Sequence, residues 1–441
     1  EIIVSDSLNI LSSQGELFER SFEPGTFIIN PPYGKLKFDS DKLTNSETRL
    51  LVKGSHIDSK KANAFESQVK TRRALNGLGV GKSGMEWSKI FLVLCSNNLV
   101  KGESLIFIGP CGWLNSVSQS EIRRHLFEGK MFSSIHFISE SKTGFETVNQ
   151  PLAIVCLDKG LKNKTITIIN DSGPAISVKY DQLATLEKYN YPIPRINFDQ
   201  LKIFIKLQSN QKIKDIAEIK NLRGELDLSI NKSILTNEKT SLRVIRGENI
   251  GRYRNIAVSD DRTFYADEAQ FFAQLGQKPK GSAYQTTRIV GRQCSYMKQR
   301  RRLIFDVIGA NNVVSNSCNY ITVKDDFKTL FYLALLNSAL FDWYFRVLNG
   351  NNHVANYEID DFPVPKVDSD FMDLICKKVT ILRANKANAS EAIATTYAED
   401  EYELEALIFE AFKLSKTEAK DIMAAHTQTY SDKTIEAMYE Y

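Results

Sequence analysis

The sequence predicts an α/β chain in which a partly parallel sheet is followed by a mixed α+β domain and then by C-terminal helices. Strand-like apolar runs alternate with helix-like segments up to about residue 160. The runs at 133–138 and 152–157 are joined by a connection too short for a crossover helix, so we expect them to be antiparallel neighbours. From about residue 196, short strands, turns and helices alternate, and a helical region is expected from 367 onwards.

The first part of the chain predicts strands that end at polar residues. In order, we expect strands at 2–4, 27–30 and 104–109, a largely buried helix at 85–99 and a further helix at 121–127. The apolar run Phe27, Ile28 and Ile29 is short and flanked by turn signals, which is typical of a fully buried strand of a parallel sheet. Asn30 then lies at the carboxyl end of this strand, the edge where ligands bind in open α/β sheets.

Changes in pattern along the chain indicate four parts. We expect a first domain over residues 1–160, a connector over 161–195 that contains a strand at 165–170 ("TITIIN"), a second domain over 196–366 and a C-terminal helical region over 367–441. Residues 328–348 predict one long buried helix. Ser415 and Glu418 have the spacing of a capping box that opens another helix.

Composition excludes several classes of protein. The 441 residues are 42% hydrophobic and 25% charged, which is typical of a globular protein of two or three domains. No apolar run approaches the ~20 residues that span a bilayer, so we expect no membrane partner. The six cysteines form no C-x-x-C pair, which is typical of a reduced, cytoplasmic protein. The five histidines lack metal-ligand spacing, so no metal site is predicted.

The tetrapeptide Asn30-Pro31-Pro32-Tyr33 indicates a binding site for a planar amine. The two prolines lack N–H groups and have a fixed φ, so the carbonyls of Asn30 and Pro31 are held stiffly without competing donors. Asn30 adds its amide oxygen, and Tyr33 adds a flat aromatic face. Adenine, with an exocyclic amine on a ring that can stack, is one such substrate. The alternative is that the prolines only end the strand and that Asn30 starts a turn.

A glycine-rich stretch, "LGVGKSG" at 78–84, looks like a phosphate loop but lacks the context of one. The spacing of a Walker motif would require a glycine at Asn76, and the preceding "VKTRRALN" is basic and polar rather than strand-like. We therefore interpret it as a glycine loop that leads into the next helix.

These motifs, taken together and in order, resemble the DNA adenine-N6 methyltransferases of the TaqI type. The resemblance rests on "VSDSL" (4–8), the tetrapeptide at 30–33, "IFIGPCGWL" (106–114) and "GFETVNQPLAIVCL" (144–157). It implies a Rossmann-like methyltransferase sheet with a reversed last strand, and S-adenosylmethionine as cofactor. It also implies roles for three kinds of residue: Asp6 contacts the cofactor adenine, Asn30, Pro31, Pro32 and Tyr33 form the catalytic group, and Phe145 stacks on the target base opposite Tyr33.

The second domain resembles the target-recognition domain of the same family and of combined type II restriction-modification enzymes. The resemblance is carried by "LRVIRGENIGRY" (242–253), "VVSNSCNYI" (313–321), "LALLNSALFDWYF" (333–345) and "NYEIDDFPVP" (356–365). It implies double-stranded DNA as partner. The candidate DNA contacts are Arg246, Arg252, Arg288, Arg292, Lys298 and Arg300. For each of these cations the alternative is a solvated, charged face.

The chain departs from the family pattern at its start. The family's glycine-rich cofactor loop is expected before Asp6, and no such loop is present there. We therefore expect the catalytic and recognition half of a site-specific DNA adenine-N6 methyltransferase, completed by an upstream segment or a separate subunit. The resemblance implies a prokaryotic, nucleoid-associated protein.

Three alternatives stay open. A glutamine or RNA methyltransferase could use the same tetrapeptide, but it would not need this recognition domain. A restriction endonuclease would need a cluster of acids and a lysine that hold a metal, and no such cluster is evident in the sequence. The third alternative is a catalytically incomplete DNA-recognition fragment of a bifunctional restriction-modification enzyme.

Overall fold

The computed structural model describes most of the chain, in two compact units. The described residues are 25–31, 36–38, 50–52, 87–116, 119–139, 151–160, 164–170, 174–184, 186, 191–260, 263–276, 281–296, 299, 301–349, 352–388 and 399–424. The first unit comprises residues 1–198 and 348–351, and the second comprises 199–347 and 352–441. Within the described residues, no helix is long and apolar enough to cross a membrane.

The first unit consists of eight described strands and three described helices. The strands are β1 (Thr26–Ile29), β2 (Leu36–Phe38), β3 (Leu50–Val52), β4 (Ser104–Pro110), β5 (Phe132–Ile138), β6 (Leu152–Asp158), β7 (Thr165–Asn170) and β8 (Ile176–Lys179). The helices are α1 (Trp87–Asn98), α2 (Ser120–Glu128) and α3 (Tyr180–Ala184). β2 and β3 form a separate antiparallel pair.

Six strands of the first unit form one mixed sheet in the order β1-β4-β6-β5-β7-β8. β1 is parallel to β4, and β6 is antiparallel to both of its neighbours, β4 and β5. The antiparallel pairing predicted for residues 133–138 and 152–157 is therefore confirmed. Inward-facing side chains such as Leu105, Phe107 and Val155 are fully buried and form the core.

The structure corrects one expectation for this unit. The apolar run of β1 is not fully buried: Phe27 is 42% exposed and Ile28 is 71% exposed, because β1 is the outer strand of the described sheet. The strand predicted at 165–170 is confirmed as β7, which pairs in parallel with β5. The segment 161–195 also contributes β8, which pairs with β7.

The second unit contains short strands and most of the helices. Its strands are β9 (Gln211–Lys212), β10 (Ile219–Arg223), β11 (Leu235–Thr236), β12 (Arg243–Ile245), β13 (Ile250–Gly251), β14 (Arg254–Asn255), β15 (Phe264–Ala266), β16 (Arg288–Arg292), β17 (Phe305–Ile308), β18 (Asn312–Val314), β19 (Cys318–Val323) and β20 (Pro363–Val364). The helices from residue 198 onwards are α4 (Phe198–Gln208), α5 (Glu268–Phe271), α6 (Asp326–Asn337), α7 (Ala339–Leu348), α8 (Asn356–Asp360), α9 (Ser369–Asn388), α10 (Glu399–Ala411) and α11 (Lys416–Ala424).

Two four-stranded sheets organise the second unit. Their strand orders are β10-β19-β16-β17 and β11-β15-β12-β18. One buried cluster includes Leu226, Ile234 and Val313, and another includes Ile245, Val290 and Tyr320. Both sheets contribute to the second cluster, so the two sheets share a core.

The helices of the second unit match the sequence only in part. Residues 328–348 form two helices instead of one, because Ser338 is extended (φ −69°, ψ 156°) between α6 and α7. The Glu405 carboxylate accepts the freed N–H of Ala339 at 2.9 and 2.8 Å, which stabilises the break. The predicted capping box is confirmed: Ser415 N donates to Glu418, and Glu418 N donates to the Ser415 hydroxyl.

Candidate catalytic edge and nucleic-acid interface

The carboxyl ends of β1 and β4 define one edge of the first sheet. Asn30 directly follows β1 and is exposed, whereas Pro31 is buried. The start of β6 lies at the same edge. Pro110, the last residue of β4, is the register partner of Leu152, and Cys111 N donates to Pro151 O at 3.1 Å. We call this region the catalytic edge.

A buried arginine fixes the backbone that follows β4. Arg123, on α2, is 0% exposed and donates to the carbonyls of Trp113 (2.5 Å) and Ser116 (2.7 Å) through Nη1, and to the carbonyl of Tyr191 (3.0 Å) through Nε. Burial lowers the pKa of Arg123 to about 9, so it remains cationic at neutral pH. The turn at 111–116 is thereby held in a single conformation beside the catalytic edge.

Several predicted site residues lie outside the described residues. These are Asp6, Pro32, Tyr33, Phe145, Lys298 and Arg300. The ends of the segment that contains Phe145 are described, since Ile138 and Leu152 are register partners at the catalytic edge. The roles proposed for these six residues stay predictions.

The short turn Ser315–Ser317 organises a polar surface on the second unit. Ser315 N donates to Ile245 O at 2.9 Å. The Ser317 hydroxyl accepts from Gly247 N at 3.1 Å, and the Ser317 carbonyl accepts from Gln293 N at 3.0 Å. Asn316 N donates to Leu226 O at 2.7 Å. The turn therefore connects the ends of β10, β12 and β16. We call the surface formed by Arg223, Arg246, Gly247, Arg292, Asn316 and Ser317 the turn surface.

Two of the predicted DNA contacts meet at the turn surface. The Arg246 side chain is 35% exposed, forms an ion pair with Glu248 (3.1 Å) and lies over the ring of Phe264, 5.3 Å from the centroid. Arg292 is half-buried and donates through Nε to Ile250 O at 2.6 Å. Each guanidinium is thus held through one of its nitrogens, while part of each side chain is accessible to solvent. This arrangement could position a guanidinium against a phosphate group.

Sequence reasoning missed a third arginine at the turn surface. Arg223 is exposed at the end of β10 and donates through Nε to Asn316 O at 3.2 Å. The sequence feature that could have indicated Arg223 is the glycine that follows it, Gly224. A Cβ at position 224 would lie 2.0 Å from Ser315 O. A glycine is required there so that the end of β10 can approach the turn.

The structure corrects the expectation for Arg288. Arg288 is 0% exposed and its Nη1 pairs with both carboxylate oxygens of Glu225 at 3.0 Å, while the guanidinium lies 4.8 Å from the ring centroid of Tyr320. Glu225 also accepts the N–H of Val314 at 3.0 Å. A guanidinium without accessible surface cannot reach a phosphate, so Arg288 is a structural residue beneath the turn surface.

Arg252 also differs from the expectation. Its side chain is 12% exposed and donates to Glu401 at 2.7 Å and to Asn337 O at 3.1 Å. Glu405, 3.7 Å from Arg252, pairs in addition with Arg301 at 2.9 Å. Arg252, in the turn between β13 and β14, therefore belongs to a buried charge network with Glu401 and Glu405 of α10, and a DNA contact by this residue is not supported.

A protein-family comparison matches part of the second unit. Residues 242–364 match the TaqI-like C-terminal specificity domain. This part of the chain is similar to a TaqI-type target-recognition region. This specificity region contains Arg246, Arg292 and the Ser315–Ser317 turn, and only Arg223 of the turn surface precedes it.

Three solved structures to which this chain is similar differ in how closely their folds match. The type IIL restriction-modification enzyme MmeI in complex with DNA has a TM-score of 0.51 and 13% identity, covering 94% of this chain and 57% of that one. For the type IIG restriction endonuclease BpuSI (TM-score 0.31, 10% identity), the match covers 94% of this chain and 54% of that one. In the DrdV–DNA complex (TM-score 0.42, 9% identity) the match covers 82% of this chain and 44% of that one. The chain thus spans about half the length of these proteins. No curated protein gave a significant sequence match.

Chemistry at the described sites does not suggest a metal. Within the described ranges, no group of three or more His, Cys, Asp or Glu side chains is placed to hold an ion. Glu225 and Glu401, two acids of the second unit, are buried in ion pairs with arginines.

Proposed function

We propose that the protein is a site-specific DNA methyltransferase that acts on adenine N6 within a restriction-modification system. The observation that carries the proposal is the position of Asn30 and Pro31 at the carboxyl end of β1, in a chain with a TaqI-like specificity region. The reversed strand β6 between β4 and β5 supports the proposal that the sheet is part of a Rossmann-like methyltransferase domain.

At the catalytic edge, the chain would bind the target amine through two acceptors. The amide oxygen of Asn30 and the carbonyl oxygen of Pro31 would accept the two N6 hydrogens, which directs the nitrogen lone pair toward the methyl donor. No general base is required, because the methylated amine is strongly acidic and loses its proton readily. The role of this edge is to orient the amine and to stabilise the charge that develops on it.

The target adenine is buried in duplex DNA and would have to be flipped out, at a cost of about a few kcal/mol. Tyr33 and Phe145 would offset this cost by stacking on the two faces of the base, at ~1–3 kcal/mol for each stacked base. Both residues belong to segments that join the catalytic edge, since Tyr33 follows β1 and Phe145 precedes β6.

S-adenosylmethionine, when bound, would supply the methyl group on its sulfonium. At the catalytic edge, Asn30 and Pro31 would bind the target amine of this reaction, beside the turn that Arg123 contacts. Asp6, the residue proposed to contact the cofactor adenine, lies outside the described residues.

Replacing Asn30 tests the proposed mechanism. We expect Asn30→Ala to abolish methyl transfer to DNA while leaving DNA affinity in a filter-binding assay largely unchanged. The reason is that the variant removes an acceptor at the catalytic edge and leaves the specificity region intact. A parallel loss of binding and transfer would show that Asn30 is structural.

The flipping step has its own test, with 2-aminopurine at the target position of the duplex. Unstacking increases the fluorescence of this base, and capture between aromatic rings quenches it again. Tyr33→Ala and Phe145→Ala should therefore change the fluorescence of the bound duplex. Unchanged fluorescence in both variants would remove these residues from the base pocket.

A second candidate function is DNA recognition without catalysis. It is favoured by the observation that the family match covers residues 242–364, the specificity region alone. The two candidates differ in one measurement, since only the methyltransferase transfers a labelled methyl group to the duplex that it binds.

A further inference from the structure

Loop Asp227–Asn231 presents an apolar side chain to solvent beside the turn surface. Ile230 is 79% exposed, the largest exposed fraction among the large hydrophobic side chains described. Single exposed apolar residues are common and need no function. Two features of the loop, its hydrogen bonding and its position, distinguish Ile230 from that background.

Hydrogen bonds within the loop fix the backbone that carries Ile230. The carbonyl of Asp227 accepts from Ile230 N (3.2 Å) and Asn231 N (2.8 Å), and its carboxylate accepts from Ser229 N (2.9 Å). In return, Asp227 N donates to the side-chain oxygen of Asn231 at 3.2 Å. The loop is a closed, self-satisfied turn, and the β-branched Ile230 at its tip has few accessible rotamers.

Both ends of the loop are anchored in the core of the second unit. Leu226, directly before the loop, and Ile234, three residues after it, are fully buried in the same cluster. Leu226 N donates to Val314 O at 3.1 Å, and Ile234 N donates to Asn231 O at 3.1 Å. The tip is therefore positioned by the same framework that positions the turn surface.

The loop also contacts the turn surface directly. Leu228 N donates weakly to the side-chain oxygen of Asn316 at 3.4 Å, and Asn316 O accepts from Arg223. The positive charge of Arg223 contributes to the lowered pKa of Asp227, whose first cause is the hydrogen bond from Ser229. Ile230 is thus the apolar element of a surface whose other members are arginines and amides.

From this arrangement we propose that Ile230 is a specificity-determining residue that makes an apolar contact with a DNA base. Apolar side chains recognise DNA either through the C5-methyl group of thymine in the major groove or by insertion at a base step. In both cases the recognised chemistry is apolar base surface, and a rigid loop reduces the entropy lost on binding. The inference rests on the proposed DNA recognition and names the residue that would read the sequence.

The test begins with a duplex selected from a random library by the wild-type chain. Ile230→Ala is then compared with Ile381→Ala, a control on α9 where the isoleucine is 50% exposed. We expect Ile230→Ala to lower the ratio of specific to non-specific affinity about tenfold, comparable to one mismatched base pair, with unchanged non-specific affinity and thermal stability. The control should change neither affinity.

Replacing the thymines of the selected site by uracil distinguishes the two kinds of contact. If Ile230 contacts a thymine methyl, the replacement weakens the wild-type chain but not Ile230→Ala. If it inserts at a base step, the replacement changes the affinities of the wild-type chain and of Ile230→Ala by the same factor, or changes neither. An unchanged specificity ratio for Ile230→Ala would overturn the inference while leaving the proposed function intact, whereas failure of the wild-type chain to select any sequence would overturn sequence-specific recognition itself.

Discussion

Two sets of arginines in the second unit make opposite kinds of contact. Arg288 and Arg302 are fully buried, and each makes its contacts inside the protein: Arg288 pairs with Glu225, and Arg302 donates to Ser295 O at 2.9 Å and lies 4.7 Å from the ring centroid of Phe345. Arg223 and Arg246 instead extend to the surface, where each has part of its side chain accessible. The first set stabilises the fold, and the second set is available to a partner.

The difference shows that a run of basic residues is not a binding site by itself. A buried guanidinium requires an acid or several carbonyls at hydrogen-bond distance, and these partners are distant in sequence. Glu225 illustrates this: it lies 63 positions before Arg288 in the sequence, and both of its carboxylate oxygens accept from Arg288 Nη1 at 3.0 Å. Substitutions in the two sets should therefore separate stability from DNA affinity.

The largest expected effect is on stability, from removing the partner of a buried arginine. Glu225→Ala leaves the Arg288 guanidinium uncompensated at 0% exposure, so we expect a loss of about 3–5 kcal/mol in the free energy of unfolding. Urea denaturation measures this loss. The double variant Glu225→Leu with Arg288→Met removes both charges and should recover most of it. A single variant as stable as the wild type would mean that the pair does not hold the sheets together.

A smaller loss is expected at Gly224. A Cβ there would lie 2.0 Å from Ser315 O, so Gly224→Ala must displace the turn and should cost about 1–3 kcal/mol. DNA affinity should fall with it, because Arg223 and Asn316 move. Gly309→Ala is the matched control, since a Cβ at Gly309 would meet nothing within 4 Å. Equal stability of the two variants would contradict the close approach.

Acid should weaken the buried charge network around Glu401. Burial alone would raise the pKa of Glu401, but the cations of Arg252 and Lys386 hold this pKa below its ordinary value of 4.5. A group with a depressed folded pKa contributes stability that is present above the unfolded value and is lost as the pH falls through the folded value. The difference in unfolding free energy between wild type and Glu401→Gln should therefore be largest near neutral pH and shrink below 4.5. A difference that does not vary with pH would contradict the depressed pKa.

The smallest effect on stability is expected at the turn surface. Arg246→Ala should leave the unfolding free energy within ~0.5 kcal/mol of wild type. DNA affinity should decrease, and the slope of log K against log salt should fall by ~0.9, which corresponds to one phosphate contact. Lys377→Ala, which removes an exposed charge from α9, controls for net charge. Equal salt slopes for Arg246→Ala and the control would mean that Arg246 is a solvated surface charge that makes no phosphate contact.

Local sequence patterns predicted much of the fold but little of the side-chain environment. The antiparallel pairing of β5 and β6 follows from alternation and loop length, and the Ser415–Glu418 capping box follows from spacing. In contrast, the exposure of Ile28 depends on which strand is outermost in the sheet. The break at Ser338 depends on Glu405, which lies 66 positions after Ala339 along the chain.

The candidate site was predictable to a similar degree. Asn30 could be placed at the end of a strand because an apolar run precedes it, and the structure describes it there. Among the predicted DNA contacts, Arg246 and Arg292 meet at the turn surface, whereas the burial of Arg288 depends on Glu225, which lies in another strand region. Arg223 was missed because its proximity to the turn depends on the close approach at Gly224.

The most direct test of the proposed function is the position of the transferred methyl group. The protein, S-adenosylmethionine with a labelled methyl group and the selected duplex are incubated together, and the modified nucleosides are separated and identified. The account predicts N6-methyladenine at one adenine of the recognised sequence. Label on cytosine, or no transfer by a protein that binds both its duplex and S-adenosylmethionine, would contradict it.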